Sequence, residues 1–595
     1  MSHPICMSRQ VFCIGASFFL AAGGISAEQS TADWVARSDQ NASLYLEAWA
    51  RFEPEQAGFL GLPGHDTEIF QLPVDRDKQY VEAIEQVLAA LRRLEAEETD
   101  PSVLQDLAIL IDTGERDIED TQLRHRLLLP YYDLPETLFA GIQALLDDQI
   151  PEERRAAALV RLRRYAGLEA GFTPVTEQAE ALIRSRLDEP GLLGPGAAEV
   201  ERDLATSPRI IAAIGQLFEQ YSLPGYKEPL ETLTKQLTAY QEFVRLEVLP
   251  RARQTPGLPP ELYALNLRER GIDMPLGELV SRAKTAFRET QNGMQALAAL
   301  VAGEHDLAVT DYRQVIRELK KAQLLGNTIL SHYQERITEV ERIILREDLV
   351  SLPERSLQFR LAGEDESAAL PGPALRPPPL IGTSDSRGEI ILPLRLPDAE
   401  GKGELEVDDF TFDAASWSLI THEGRPGHEL QLAIMAERGV STARRLFAFN
   451  SVNVEGWALY AEAEMLPYLP LDGQLISLQY RLLRAARAFL DPGMQSGEIT
   501  REEALRILTE DVVLSEVLAQ QEVERYVSRS PGQAPSYFCG YSRLLELRAD
   551  VERLLGGQFD RRAFHDFVLE QGLLPPVLLR RAVIEGFVPS QLAAR

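Results

Sequence analysis

The stretch Thr421-His422-Glu423-Gly424-Arg425-Pro426-Gly427-His428-Glu429-Leu430-Gln431 constrains the fold more than any other. It places two of the chain's eight histidines six residues apart, with a carboxylate directly after the first. Six residues advance a regular helix by about 600°, so on an unbroken helix the two rings point about 120° apart. Pro426 lacks a backbone donor and Gly427 reaches dihedrals closed to other residues. The pair can bulge or interrupt the helix and return His428 to the face of His422. Hydrolytic zinc sites need neutral imidazoles, a carboxylate ligand, a position open to water, and a further carboxylate to take the proton of that water. Here H-E-x-x-P-G-H serves the purpose of the common H-E-x-x-H only if the helix is distorted. Two ordinary histidines beside a helix break are the alternative.

A second stretch, Val454-Glu455-Gly456-Trp457-Ala458-Leu459-Tyr460-Ala461-Glu462, begins 26 residues beyond His428. That distance suits a turn and an antiparallel return helix. Glu462 follows Glu455 by seven residues, two helical turns, and shares its face. One carboxylate can then bind metal while the other orients a ligand histidine. A plain solvated Glu462 is the alternative.

From about Ser30 to Leu345 apolar residues recur at helical spacing, as in Tyr80, Ile84, Val87, Leu88 and Leu91. The same pattern predicts helices over Ile210 to Phe218, Leu233 to Val248 and one long run from Tyr312 to Ile344. Breaks are expected at Glu189-Pro190-Gly191, Gly194-Pro195-Gly196 and Thr255-Pro256-Gly257. Between Leu352 and Phe412 proline runs exclude helix, while Ser356 to Leu361 and Glu389 to Leu394 read as short strands. Pro393 makes the second of these an edge strand. Such an edge can dock an extended peptide, or the region can be a surface insertion with a small hairpin. Helices resume over Leu475 to Leu490, Arg501 to Leu508, Val512 to Val527 and Tyr541 to Leu555, with a loop at Ser530 to Pro535. The expected fold is mainly α: a large multi-helix body around a deep cleft, with a small β-sheet or hairpin region at about 352–412 before the metal helix. The expected division is a signal peptide (1–27), a helical scaffold (28–350) and a catalytic region (351–595).

Arg9, the apolar run Val11 to Gly24 and Ser26-Ala27 before Glu28 read as an export signal cleaved near Ala27, giving a periplasmic or secreted protein. The run is short for a membrane span, and a retained anchor is the alternative. Cys6 and Cys13 would leave with that segment, so Cys539 is alone and reads as a small buried residue rather than a nucleophile. A net charge of −30 argues against nucleic acid as a partner.

HEGRPGHELQ followed by EGWALYAE resembles the bacterial family catalogued as domain of unknown function 885, which is grouped with zincin-type metallopeptidases of the gluzincin kind. Glu522 to Tyr526, Pro531 to Ala534, Ser536-Tyr537 through Leu547-Arg548, and Phe559 to Gly572 are similar to its later blocks, and Ala48-Trp49 to Gly61 to an early one. The resemblance implies zinc, one per chain, bound by His422, His428 and Glu455, with Glu423 as general base. It points to Tyr537 as donor to the oxyanion, a packed aromatic being the alternative. Arg548 is either a substrate-carboxylate binder or the partner of an acid on its own helix, and His565 a structural hydrogen bonder. Glu429 stands where the family often has a second histidine, and Asp491-Pro492-Gly493-Met494-Gln495 where it often has Asp-Thr-Gly-x-His; Arg484 and Arg487 keep their spacing before Asp491.

These readings converge on an exported zinc metallopeptidase with a short peptide as substrate, no nucleic-acid partner and no stable membrane insertion. An amidase acting on cell-wall peptides or small amides, and an inactive peptide-binding protein that retains the fold, are the rival expectations.

Overall fold

The computed structural model describes residues 33–147, 150–254, 257–324, 328–362, 374–376, 388–392, 395–397, 404–406 and 408–593. The signal-like segment, Thr255-Pro256 and the proline runs at 370–373 and 377–379 lie outside these residues. Helices dominate, and the strands that accompany them are short. No helix of the described residues is long and apolar enough to cross a membrane.

The chain packs as two compact units. The first takes the described residues up to Leu262 together with Ser441–Phe447; the second takes those from Tyr263 onward, apart from that segment, and holds every predicted metal ligand. Helix Leu276–Glu304 lies along helix Leu471–Ser496 inside the second unit.

In the first unit, helices Arg76–Glu97 and Pro101–Leu127 pack together. Tyr80, Ile84, Val87, Leu88 and Leu91 form the buried face that their spacing predicts. Asp100 caps the second helix by accepting from the Ser102 amide, with Pro101 in the first turn. Ile211, Ile214, Phe218, Leu233, Leu237 and Tyr240 share one apolar core from helices Ala197–Gln220 and Lys227–Phe243.

Three expectations for the second unit need correction. The run from Tyr312 to Ile344 is two helices, Tyr312–Lys320 and Thr328–Arg346. Between them Gln323 pairs with Phe412 in an isolated antiparallel bridge and Leu324 donates to the Thr411 carbonyl, so the chain there is extended. The helix expected from Val512 starts at Glu516, because Val513 takes a positive φ of 65° and Ser515 caps the helix through the Leu518 amide. Third, strand β3 (Glu389–Leu392) is central, not an edge. It lies between β1 (Gln358–Leu361), to which it is parallel, and β2 (Ala374–Arg376), to which it is antiparallel. Its described part ends at Leu392, and Pro393 lies outside the described residues. Ile390, Ile391 and Leu392 are buried. A separate two-stranded hairpin pairs Arg395–Pro397 with Glu404–Glu406.

Two glycines set the frame of the site. A Cβ on Gly540 would sit 1.9 Å from the Val452 carbonyl oxygen, and one on Gly456 would sit 2.6 Å from Gly540. Only glycines allow helices Ser451–Met465 and Ser536–Leu555 to touch backbone to backbone. That crossing brings Glu455, Glu462 and Tyr537 around the His422 stretch.

Candidate metal centre

Helix Asp413–Leu419 runs into a π-helical turn, Ile420–Gly424, and stops; helix His428–Arg438 begins afresh after the cis Arg425–Pro426 bond. The misfit of six residues is therefore resolved by ending one helix and starting another, rather than by looping two residues out of one. Gly427 is needed for the closeness of this turn: a Cβ there would lie 2.0 Å from the His422 carbonyl oxygen and 2.5 Å from that of Thr421. The Trp457 indole donates to the Pro426 carbonyl at 2.9 Å. The buried Arg425 guanidinium donates to Glu429 (2.7 Å), Glu341 (2.6 Å) and the Arg355 carbonyl. The outcome is two imidazoles with centroids 4.7 Å apart and planes at 79°.

Asn450 caps the Ser451–Met465 helix, accepting from the Asn453 amide at 2.8 Å. That helix presents Glu455 to both rings. Glu455 Oε2 lies 3.6 Å from His422 Nε2 and 3.3 Å from His428 Nε2. It is buried, yet no well-aligned hydrogen bond satisfies it. Ligands at about 2.0–2.1 Å from a tetrahedral zinc stand about 3.3–3.4 Å from one another. The donor set and its spacing therefore fit the ion. Glu423 also belongs to the cluster: it, His422 and His428 carry ligand-type atoms all within 4.8 Å of one another.

Glu462 lies behind His422, accepting from Nδ1 at 2.7 Å and from the Ser418 hydroxyl at 2.7 Å. Arg484 stands 3.6 Å from the same carboxylate. Burial would raise the Glu462 pKa, but Arg484, His422 and Ser418 bring it below the usual carboxylate value. Burial likewise opposes ionisation of Glu455, and the two imidazoles hold it well below the usual range. In the metal-free centre burial lowers the His422 pKa, yet Glu455 and Glu462 outweigh it and lift the value to about 9. His428 Nδ1 is buried with no hydrogen-bond partner.

Tyr537 belongs to the same cluster. Its ring stacks on His422 at 6.4 Å and 11°. Its hydroxyl accepts from Arg525 at 2.9 Å, and the Arg487 guanidinium covers the ring at 4.5 Å. Burial raises the phenol pKa and Glu455 adds to that, against Arg525 and Arg487. Arg525 was not legible in the sequence as a site residue; its only signal was membership of the Glu522–Tyr526 block.

Arg548 is engaged elsewhere. It pairs with Glu552 on its own helix at 2.8 Å, with Glu464, and with the Tyr460 hydroxyl at 3.0 Å. His565 is a structural hydrogen bonder between Leu349 and Tyr460. Cys539 is fully buried, and burial pushes its thiol up to about 12. The positions that depart from the family pattern have internal duties. Glu429 is the buried partner of Arg425. Asp491 accepts from the Tyr263 hydroxyl and the Gly532 amide, which fixes the loop before Tyr537. A cavity of about 570 Å³ in this unit, lined by Gln431, Trp457, Leu544, Leu547, Val577 and Leu579 among others, includes none of the predicted ligands.

A search of curated proteins finds no match. Two solved structures are similar along nearly the whole chain. One is described as "a putative lipoprotein of unknown function from Shewanella oneidensis": TM-score 0.70, 18% identity, 92% of this chain and 99% of that one. The other, "the putative lipoprotein from Colwellia psychrerythraea", has TM-score 0.70 and 18% identity over 93% of this chain and 100% of that one. At that identity they share the fold. The family described as "Bacterial protein of unknown function (DUF885)" matches residues 54–583. With its two metal-type blocks, their supporting helices and the later Tyr537 and His565 blocks all inside that match, the chain belongs to the DUF885 family.

Proposed function

We propose that the protein is an exported zinc-dependent metallopeptidase of the zincin type that hydrolyses short peptides. One observation carries the reading: Glu455 Oε2, a buried carboxylate oxygen without a hydrogen bond, lies 3.3 and 3.6 Å from two imidazole nitrogens. Such a group is costly to bury unless a cation completes it. His422, His428 and Glu455 would hold the ion. Glu423 is near enough to be a ligand as well, but the unsatisfied Glu455 oxygen fills the third place and leaves Glu423 for proton transfer. Two imidazoles and a carboxylate suit zinc.

Bound there, zinc supplies Lewis acidity, polarising an acyl carbonyl and lowering the pKa of water. Glu423 takes the proton from the attacking water and hands it to the leaving amine. Glu462 accepts from His422 Nδ1–H, which fixes the tautomer and turns the Nε2 lone pair toward Glu455 and His428. Tyr537, kept protonated by burial, donates its hydroxyl proton to the oxyanion while accepting from Arg525. Export is supported by the apolar run Val11 to Gly24 and by the description of both structural relatives as lipoproteins. This chain carries Ser26-Ala27 at the expected cleavage point, where a lipoprotein needs Cys.

The test is a purified, zinc-loaded protein assayed on a defined peptide pool, beside Glu423→Gln. The variant should retain one zinc per chain by elemental analysis while kcat falls about 10²–10⁴-fold. Full turnover in Glu423→Gln, or a wild-type protein that cleaves nothing in the pool, would defeat the reading.

A further inference from the structure

Arg481, Arg484 and Arg487 recur every three residues along helix Leu471–Ser496, each turned about 60° from the one before, so that the series winds over about 120° of the helix surface. Each faces a tyrosine. The Arg487 guanidinium lies 4.5 Å from the Tyr537 ring, Arg484 lies 5.1 Å from Tyr480 and 6.0 Å from Tyr537, and Arg481 lies 5.5 Å from Tyr541. Tyr537 and Tyr541 are one turn apart on helix Ser536–Leu555, and Tyr537 is the ring stacked on His422. The ladder thus starts at the metal centre and climbs one turn away from it, a rise of about 6 Å.

Along this ladder the carboxylate partners disappear. Arg487 grips Glu522 with two hydrogen bonds of 2.7 and 2.6 Å. Arg484 has a carboxylate oxygen of Glu462 at 3.6 Å, while its Nε and Nη1 are buried without acceptors. Arg481 is half-buried, has no carboxylate within 4.0 Å and makes no hydrogen bond among the described residues; its Nε and Nη2 are shielded from solvent without acceptors. The Tyr541 face offsets part of the charge but satisfies none of the in-plane donors. The chain carries 91 acidic side chains against 61 basic ones, so the absence of an acid at Arg481 is not for want of acids.

We propose that Arg481 takes a carboxylate of the substrate, so that the peptides cleaved are those with an anionic group one or two residues from the scissile bond. A planar guanidinium is suited to a bidentate carboxylate, and two residues of an extended peptide span about 6.6 Å, which matches the one-turn rise from Tyr537 to Tyr541. The carboxylate is either a free C-terminus or an acidic side chain. This inference rests on the peptidase reading and narrows its substrate.

Three peptides separate the sources: Ala-Ala-Ala-Ala, its C-terminal amide, and the amide with Asp at the third position. In zinc-loaded wild-type protein at least one carboxylate peptide should exceed the plain amide in kcat/KM by about tenfold or more. Which one does so identifies the source. Arg481→Met should bring that ratio within about twofold of unity, and Arg481→Lys should keep part of it because a lone ammonium cannot fork. Equal cleavage of all three by wild type, or an undiminished ratio in Arg481→Met, overturns the proposal and leaves the peptidase reading intact. Calorimetric binding of the same peptides to zinc-loaded Glu423→Gln, with and without Arg481→Met, reads the site apart from turnover. Arg481-dependent preference for a carboxylate in binding, with no peptide cleaved by wild type, supports the anion site and defeats the peptidase reading. Neither binding preference nor cleavage defeats both.

Discussion

His422 and His565 are both buried histidines of the same unit, and they are built to opposite ends. His565 has both ring nitrogens satisfied by neutral groups: Nδ1–H donates to the Leu349 carbonyl at 2.8 Å, and Nε2 accepts from the Tyr460 hydroxyl at 2.8 Å. Burial, with Arg548 and Arg561 adding to it, pushes its pKa down to about 4. His422 is just as buried but faces two carboxylates, and its Nε2 meets Glu455 at 3.6 Å without a proper hydrogen bond. The difference teaches how a packed histidine can be told from a candidate ligand. The first is complete in the protein alone; on the reading proposed above, the second is completed by a cation, with a proton taking that part when no metal is bound.

The sharpest way to break this comparison is the pH dependence of the metal-stripped protein. The His422 pKa is raised in the folded state, from 6.5 to about 9. Its contribution to stability is therefore fully present below pH 6.5 and is lost as pH rises through 9. His565 runs the other way: with a folded pKa of about 4 it makes the protein lose stability as pH falls from 6.5 to 4. Urea unfolding of chelator-treated protein should show stability falling by about 3 kcal/mol between pH 6.5 and 9. Zinc-loaded protein should not show that fall, because zinc needs the neutral ring and replaces the proton. A stripped protein equally stable at pH 6.5 and 9 would remove the proton from His422 and with it the argument that the centre is a cation site.

A smaller effect sharpens the role of the partner behind the ring. Glu462→Gln leaves an acceptor for His422 Nδ1–H but removes the charge, so zinc affinity should fall about 10–100-fold in a competition titration, with the fold unchanged. An unaltered affinity would make Glu462 a mere occupant of the core. Much of this pair was readable beforehand. Seven residues between Glu455 and Glu462 put them on one helix face, and H-E-x-x-P-G-H could bring its two histidines together only through a bulged or interrupted helix. What the sequence left open was how the break is made. It depends on contacts distant in the chain: Trp457 holding the Pro426 carbonyl, and Glu341 pairing with the buried Arg425. The same limit applies to β3, where Pro393 suggested an edge although Glu389–Leu392 pairs on both sides. Arg548 was ambiguous because its acids sit on two helices, Glu552 on its own and Glu464 on another. Periodicity says which face a residue occupies, but not which opposing face it meets.

The smallest expected effect falls on the other histidine. His565→Gln removes a ring that serves the Leu349 carbonyl and the Tyr460 hydroxyl, and should cost about 1–3 kcal/mol of stability at neutral pH. Because the ring is neutral and already satisfied, and makes no hydrogen bond to His422, His428 or Glu455, the variant should bind zinc within about twofold of wild type in the titration used for Glu462→Gln. It should also lose less stability than wild type between pH 6.5 and 4, since the residue that takes up a proton on unfolding is gone. The two readouts have to agree. A loss of zinc affinity matching that of Glu462→Gln would mean that Trp457, which packs on His565 and holds the Pro426 carbonyl, transmits the change to the ligands. His565 would then belong to the metal centre, and the division between the two histidines would fail.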